Sequence, residues 1–246
     1  MSVRTGKKAR RRWLACLFAL LGGSCSESET STGALQIAAP SAQTSEPALP
    51  SVRLTKAGLP KVAFLGDGIA AGRFIVEQRA FPFVVQRQLR ARGSDFTLIN
   101  ASVSGDTTED ALRRIDWILK QSPKIVVIEL GASDNEQALP AATVEANLRA
   151  IITKIRAAQA KPLLLGLTIT PATHAERTSA LAYARSLEAI YPRIAAEMDV
   201  PFVSHFMRGV AERRELTLPD GVHPTPEGHE RVANNIQEAL RRLLTE

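Results

Sequence analysis

The sequence predicts an α/β domain of three layers, with a parallel sheet of about five strands between two layers of helices. From residue 60 onward, short apolar runs of strand type alternate with helical patterns as far as residue 246. That alternation is typical of parallel sheets covered by helices on both faces. Residues 60–246 are also enough for one domain with a sizeable core.

Five apolar runs are predicted to be strands: residues 62–65, 96–100, 125–130, 163–168 and 202–204. Each is short and rich in branched or aromatic residues, as buried strands are. Five helices are predicted to alternate with them, over residues 82–92, 107–120, 141–159, 175–198 and 226–244.

Two of these helices carry clear helical signals. Asp106, followed three positions later by Glu109, predicts the start of the second helix. Apolar residues recur on one face of the second and last helices, and we interpret them as core rather than as a partner surface. They are Leu112, Ile115, Ile118 and Leu119, and Val232, Ile236, Leu240 and Leu243.

The first 25 residues have the pattern of a secretory signal peptide. A cationic block precedes an apolar run over residues 13–21, and small residues follow it. That order is typical of export signals. The apolar run is too short for a membrane-spanning helix, which needs roughly 20 apolar residues. We therefore expect an exported protein, located in the periplasm or cell envelope.

Cys25 directly follows the small residues of the leader. The leader's end resembles a bacterial lipoprotein signal, in which the first mature residue is a lipid-modified cysteine, although Leu21 stands one position too early for the usual pattern. Lipidation would tether the protein to a membrane of the cell envelope, such as the outer membrane. Ordinary cleavage would release it instead. Residues 26–59 are rich in Ser, Thr, Ala and Pro and are predicted to be a disordered linker.

The net charge of +6 belongs to the leader. The first 24 residues hold six of the 31 basic residues and none of the 25 acidic ones, so the remainder is formally neutral. Without a basic stripe, a nucleic-acid partner is not expected.

Unusual residues follow the predicted strands. Gly68 follows the first strand, Gly105 the second and Ser133 the third, and Asp220 and His223 lie in the loop after the fifth. Parallel sheets place their sites beyond the carboxyl ends of the strands. We therefore expect these five residues to lie together.

His223 and Asp220 form the chemical centre of this set. Ester cleavage needs a nucleophile, a base, a group that orients the base, and donors for the oxyanion. His223 is the candidate base, and Asp220, three residues earlier, can bind one ring nitrogen and fix the tautomer. The alternative is that residues 220–224 have only a structural role, as a turn that caps the following helix.

Four motifs together resemble the SGNH, or GDSL-type, hydrolases. They are Gly66-Asp67-Gly68, residues 100–107 around Gly105, Gly131-Ala132-Ser133-Asp134, and Asp220 with His223. The likeness is strongest to the periplasmic branch of thioesterases, lysophospholipases and arylesterases, and it covers nearly all of residues 61–246. It implies a flavodoxin-like sheet, no cofactor or metal, and small ester, thioester or lipid-like acyl ligands.

Two positions depart from the pattern of that family. The nucleophilic Ser of Gly-Asp-Ser is replaced by Gly68, and the Asn of Gly-x-Asn-Asp is replaced by Ser133. Gly105 matches the oxyanion glycine. The resemblance therefore implies a site that binds an ester but cleaves it poorly. The region around Phe206 and Met207, with residues 170–176, is expected to border the acyl and leaving groups.

Other groups could replace the missing nucleophile. A water activated by His223 is the first alternative, and a displaced serine is the second, with Ser133, Ser102 and Ser104 as candidates. We expect Ser102 and Ser104 to belong to the turn after the second strand. Asn135 could supply the missing amide donor if its loop moved. A purely non-catalytic binding or scaffold protein also fits the sequence.

Two other classes of site have little support. The Gly66-x-Gly68-x-x-x-Gly72 spacing suggests a dinucleotide site, but Asp67 would bring negative charge to the pyrophosphate. The remaining histidines, His174, His205 and His229, are too scattered for structural zinc. We expect them to be surface or loop residues.

Overall fold

The computed structural model describes residues 58–167, 169 and 177–246. The predicted leader, Cys25, the predicted linker up to residue 57 and residues 170–176 lie outside the described residues. The strands are β1 Lys61–Gly66, β2 Thr97–Asn100, β3 Ile125–Glu129, β4 Lys161–Leu165 and β5 Phe202–Val203. All five predicted strands are therefore confirmed, although residue 168 of the fourth lies outside the described residues.

The helices follow the same order along the chain. They are α1 Gly68–Ala71, α2 Phe81–Ala91, α3 Thr108–Leu119, α4 Ala132–Glu136, α5 Ala141–Ala157, α6 Arg177–Glu188, α7 Ile190–Glu197 and α8 Pro226–Thr245. Two short 3₁₀ helices, Glu77–Arg79 and Arg214–Leu216, complete the described elements. No helix in these described ranges is both long and apolar enough to span a membrane.

The sheet is parallel and has the strand order β2-β1-β3-β4-β5. The predicted flavodoxin-like α/β architecture is therefore confirmed. In this order the chain turns from one side of β1 to the other, so β1 lies between β2 and β3. Ligands bind such sheets at this switch point, beyond the carboxyl ends of the strands. Gly68 follows β1 at this point.

Side chains that alternate along β1 build two cores. Ala63 and Leu65 face the core that includes α3, α5 and α7, whereas Val62 and Phe64 face the core that includes α2 and α8. Because both faces are covered, residues 62–66 are all buried. The predicted apolar stripe of the last helix is buried in the second core.

Two local predictions about helices are wrong. The second predicted helix starts one residue later than expected, because Thr107 is its N-cap and forms a capping box with Asp110. Residues 175–198 do not form one helix, since α6 ends at Glu188 and α7 begins at Ile190. Pro192 explains the break, because its ring lacks an N–H and would clash with the carbonyl of residue 188 in a continuous helix.

The prediction that His229 lies on the surface or in a loop is also wrong. Its side chain is 1% exposed in α8, and its Nδ1 accepts a hydrogen bond of 3.1 Å from the backbone N–H of Phe81. Burial lowers the pKa of His229 to about 4. The neutral imidazole therefore caps the start of α2 and joins that helix to α8.

Candidate active site

Gly68 is the first residue of α1, directly after the N-cap Asp67. A Cβ atom on residue 68 would lie 2.6 Å from Nε2 of His223 and 3.5 Å from Oγ of Ser104. The loops after β1, β2 and β5 therefore meet at this point. The tip of the imidazole faces the Gly68 backbone directly, because no side chain separates them.

Asp220 fixes the orientation of His223. Its Oδ2 lies 2.7 Å from Nδ1 of the ring, and its Oδ1 accepts the backbone N–H groups of Val222 and His223 at 2.9 and 3.0 Å. Partial burial raises the pKa of Asp220, but these hydrogen bonds outweigh it and hold the pKa below its ordinary value. An ionised carboxylate only accepts, so Nδ1 carries the hydrogen and Nε2 presents its lone pair to Gly68.

Phe74 covers the other side of the imidazole. Its ring meets that of His223 edge to face, with 5.5 Å between ring centroids, and the Arg73 guanidinium lies 4.6 Å from the Phe74 centroid. Phe74 is nevertheless 67% exposed. Phe74 could not be predicted from the sequence, because an aromatic residue six positions after Gly68 matches no motif.

Ser104 and Gly105 lie at the tip of a tight turn after β2. The N–H of Asp106 donates to the carbonyl of Val103 at 3.1 Å, and Gly105 has a φ of 92°, the conformation that favours glycine at the third position of a type II turn. The N–H of Val103 donates to the carbonyl of Gly66, the last residue of β1, at 3.0 Å. Arg114, which lies in α3, holds this turn in place. Its Nε donates to the Asp106 carboxylate at 2.6 Å, and its Nη1 donates to the carbonyl of Ala101.

Two backbone donors at the site are free to bind a ligand. Within the described residues, neither the N–H of Gly68 nor that of Gly105 has a hydrogen-bond acceptor. Gly68 is the first residue of its helix, where the N–H has no partner inside the helix. Free N–H groups at such a place are typical of an oxyanion hole.

Ser133 is the second residue of α4 and is 6% exposed. Its backbone N–H and that of Ala132 both donate to the Asp67 carboxylate, which joins this loop to Gly68. The structure thus brings His223, Asp220, Gly68 and the Ser104–Gly105 turn together directly. Ser133 reaches the same edge of the sheet through Asp67.

Asp67 and Glu129 form a buried pair of carboxyl groups beneath the site. The Glu129 side chain hydrogen-bonds that of Asp67 and accepts the N–H of Ala70 at 3.0 Å. Burial raises the pKa of Asp67 to about 7, although the hydrogen bonds from the backbone N–H groups of Ile69, Ser133 and Ala132 lower it in part. Burial and the neighbouring Asp67 raise the pKa of Glu129 well above its ordinary value. The pair therefore retains a proton at neutral pH.

Asp67→Asn is expected to change how the free energy of unfolding depends on pH. Because the folded-state pKa of Asp67 is raised, its stabilising contribution is complete below the ordinary value of 3.8 and is lost as the pH rises towards about 7. Urea unfolding from about pH 4 to pH 7 should show the stability of the wild type falling relative to that of the variant. A stability difference that is independent of pH would contradict this, and the exposed Asp116→Asn, which changes a surface pair with Lys154, is the control.

Asp134 ties the loop after β3 to the loop after β2. Its carboxylate accepts the N–H of Thr108 at 2.9 Å and the Thr108 hydroxyl at 2.6 Å. Burial raises the pKa of Asp134, although the bonds from Thr108 oppose that change. The start of α3, just after Gly105, is thereby fixed against α4.

An apolar cleft borders the chain neighbours of Gly68 and His223. Phe206 and Met207, which were expected to border a ligand, both line it. The other lining residues are Ile69, Ala132, Leu167, Ile169 and Val222, with Asn135 and Glu136 as the polar members. The other expected border, residues 170–176, lies outside the described residues.

Comparison with known proteins identifies the family. Residues 64–231 match the model of the GDSL-like Lipase/Acylhydrolase family, a range that contains every residue of the candidate site. The chain belongs to this family. Among the residues that the structure describes, no three His, Cys, Asp or Glu side chains form a group that could hold a metal ion.

Individual relatives of this GDSL-like chain are esterases and thioesterases. An arylesterase from Vibrio mimicus is 32% identical over 185 residues, or 75% of this chain and 90% of the relative. Thioesterase 1/protease 1/lysophospholipase L1 from Escherichia coli K12 is 33% identical over 181 residues, or 73% and 83%. The psychrotrophic esterase EstA from Pseudoalteromonas, solved with monoethylphosphonate as inhibitor, superposes with a TM-score of 0.68 at 28% identity, covering 76% of this chain and 99% of EstA.

Proposed function

We propose that this chain is an exported, ester-binding member of the GDSL-like family with strongly reduced hydrolytic activity. The observation that carries the proposal is Gly68. His223 directs Nε2 at residue 68, and two backbone N–H groups are free nearby, but residue 68 has no side chain that could attack. The site can therefore hold and polarise a carbonyl group without a nucleophile in the position that the family motif gives to serine.

The expected loss of activity is large. In serine hydrolases, removing the nucleophile lowers turnover by about 10⁶, which corresponds to about 8 kcal/mol of transition-state stabilisation. Replacing an oxyanion donor, as at Ser133, lowers it by about 10²–10³ on its own, although the two losses do not add. A remnant of about 10³–10⁴ over the reaction in water persists from binding and the remaining donors.

The ligand is expected to be a small carboxylic ester, a thioester or a lipid-like acyl compound. The cleft beside His223 is lined mainly by apolar side chains, which suits an acyl chain. The names of the relatives, arylesterase, thioesterase and lysophospholipase, support the same class. The leader and Cys25 support export and a lipid tether in the cell envelope.

Val222→Asp is expected to weaken binding of an uncleavable acyl ligand by at least tenfold, because a charge in an apolar cleft must be desolvated when the chain enters. Isothermal titration with an alkyl ether analogue of a p-nitrophenyl ester measures this. The control is Trp117→Asp, which introduces the same charge on an exposed residue of α3 that does not line the cleft. Equal affinity of the two variants would show that the ligand does not bind in this cleft.

Slow hydrolysis with His223 as general base is the second candidate function. The lone pair of Nε2 faces the space beside Gly68, where a water or a nearby hydroxyl could give up its proton. His223→Ala should then lower the residual rate of p-nitrophenyl ester cleavage by at least about tenfold. A residual rate that this substitution leaves unchanged would exclude His223 as the base.

A further inference from the structure

We propose that Ser104 supplies the attacking oxygen for the slow ester cleavage of this site. The inference rests on the proposed function, since the cleft must first hold an ester beside Gly68. Oγ of Ser104 and Nε2 of His223 both lie within 3.5 Å of the point that a Cβ of residue 68 would occupy. A hydroxyl and a base therefore border the position where the family motif has serine.

The turn holds Ser104 in a position that a ligand can reach. Ser104 is exposed at the tip of the turn, and the bond from Asp106 to Val103 closes the turn behind it. Arg114 binds Asp106 and Ala101 on either side of Ser104. The backbone is thus fixed while the side chain remains free to rotate towards His223.

Gly105, the residue directly after Ser104, provides a backbone N–H that could bind the oxyanion. In many esterases the residue directly after the nucleophile donates its backbone N–H to the oxyanion. The N–H of Gly105 follows Ser104 and has no acceptor within the described residues. The N–H of Gly68 provides a second donor on the other side of the same space.

The other two serines near the site are less well placed. Oγ of Ser102 donates to the carbonyl of Phe64 at 3.3 Å and so points back towards the sheet. Ser133 is buried in α4, with its N–H bound to Asp67, and it occupies the position of an oxyanion donor in the family pattern. Neither of them has an atom among the three closest to the Cβ point of residue 68.

The reaction that follows is ordinary acyl transfer. His223 Nε2 takes the proton of the Ser104 hydroxyl as Oγ bonds to the ester carbonyl carbon, and the carbonyl electron pair becomes an oxyanion at the N–H groups of Gly105 and Gly68. The oxyanion collapses, the bond to the leaving oxygen breaks, and His223 returns the proton to that oxygen. Water then attacks the acyl group on Ser104 by the same route and restores the hydroxyl.

The rate should remain low because Ser104 is displaced from the motif position. Within the described residues, Ser104 Oγ and the His223 ring form no hydrogen bond, so the side chain must rotate before it can lose its proton. Misplacement of a catalytic group by about 1 Å can reduce a rate about 10²-fold. A slow reaction at Ser104 therefore agrees with the strongly reduced activity proposed above.

The test is covalent labelling with a reactive p-nitrophenyl alkylphosphonate, followed by mass spectrometry of the peptides. The full chain is used as wild type, Ser104→Ala, Ser104→Cys and the matched control Ser102→Ala. The phosphonyl adduct is expected on Ser104. Residual p-nitrophenyl acetate cleavage should fall at least about tenfold in Ser104→Ala and stay within about twofold in Ser102→Ala. In Ser104→Cys, residual cleavage should become sensitive to iodoacetamide.

The outcomes separate this inference from the proposed function. An adduct on another serine, or hydrolysis that depends on His223 but leaves no adduct on Ser104, overturns the role of Ser104. A chain that binds the ether analogue but neither cleaves esters nor takes the label also overturns it, and leaves ester binding intact. Rapid turnover with an adduct on Ser104 would overturn the proposed impairment and support Ser104.

Discussion

Gly68→Ser is expected to increase ester hydrolysis by about 10³-fold or more over the wild type. Restoring a nucleophile in serine hydrolases is worth up to about 10⁶ in turnover, and Ser133 in place of an amide donor reduces that gain by about 10²–10³. His223, Asp220 and the free N–H groups are already in place. Rates of p-nitrophenyl acetate and longer acyl esters, measured for both proteins, test the expectation.

The introduced side chain must first displace the imidazole slightly. A Cβ on residue 68 would lie 2.6 Å from Nε2, closer than side-chain carbons normally approach, so the ring has to retreat by several tenths of an ångström. Phe74 covers the ring from an exposed position and can move with it. The hydroxyl would then lie beside Nε2.

Gly68→Ala is the matched control, because it imposes the same displacement without an oxygen. It should bind the ether analogue as Gly68→Ser does and gain no activity. A folded Gly68→Ser that is no more active than Gly68→Ala would mean that a hydroxyl at residue 68 does not suffice, and that the donors or the base also limit the rate.

Gly131→Ala is expected to lower the free energy of unfolding by about 3–5 kcal/mol, through strain, overpacking and loss of a buried hydrogen bond. Gly131 has a φ of 117°, which side-chain-bearing residues rarely adopt, and an added Cβ would lie only 2.1 Å from the hydroxyl of Tyr191. That hydroxyl is buried and donates to the carbonyl of Leu130 at 2.7 Å. Chemical denaturation measures the change.

Gly93→Ala separates the two causes of this loss. Gly93 also has a positive φ, of 80°, but nothing lies within 4 Å of an added Cβ. The free energy of unfolding of Gly93→Ala should therefore fall by only about 1 kcal/mol, through backbone strain alone. Similar losses in the two variants would show that Tyr191 can move aside at little cost.

The positions of the strands and of most helices along the chain could be predicted, because apolar periodicity and buried runs reflect these elements directly. The break between α6 and α7 was signalled by Pro192, but the apolar pattern continues across it and hides the boundary. The short helix α1 has too few residues to show a period. The role of His229 could not be foreseen, since its partner is the backbone of Phe81, 148 residues away.

The candidate site was predictable as far as its motifs extend. His223, Asp220 and Gly68 were expected together, and the structure brings them together. Ser104 was one of three candidate serines and was expected to belong to the turn, because the sequence does not show where its side chain points. Asp67 with Glu129, and Phe74 against His223, are contacts between distant segments or exposed surfaces, and no spacing in the sequence encodes them.

The carboxyl groups of Asp67 and Asp134 join the loops after β1, β2 and β3, and the hydroxyl of Tyr191 joins α7 to the end of β3. None of these bonds involves a side chain at residue 68. The bonds that hold the loops together are consequently independent of the group at residue 68. A hydroxyl could be added at residue 68 or removed from it without changing these bonds, whereas loss of the Asp67 carboxylate would break the bonds between the loops after β1 and β3.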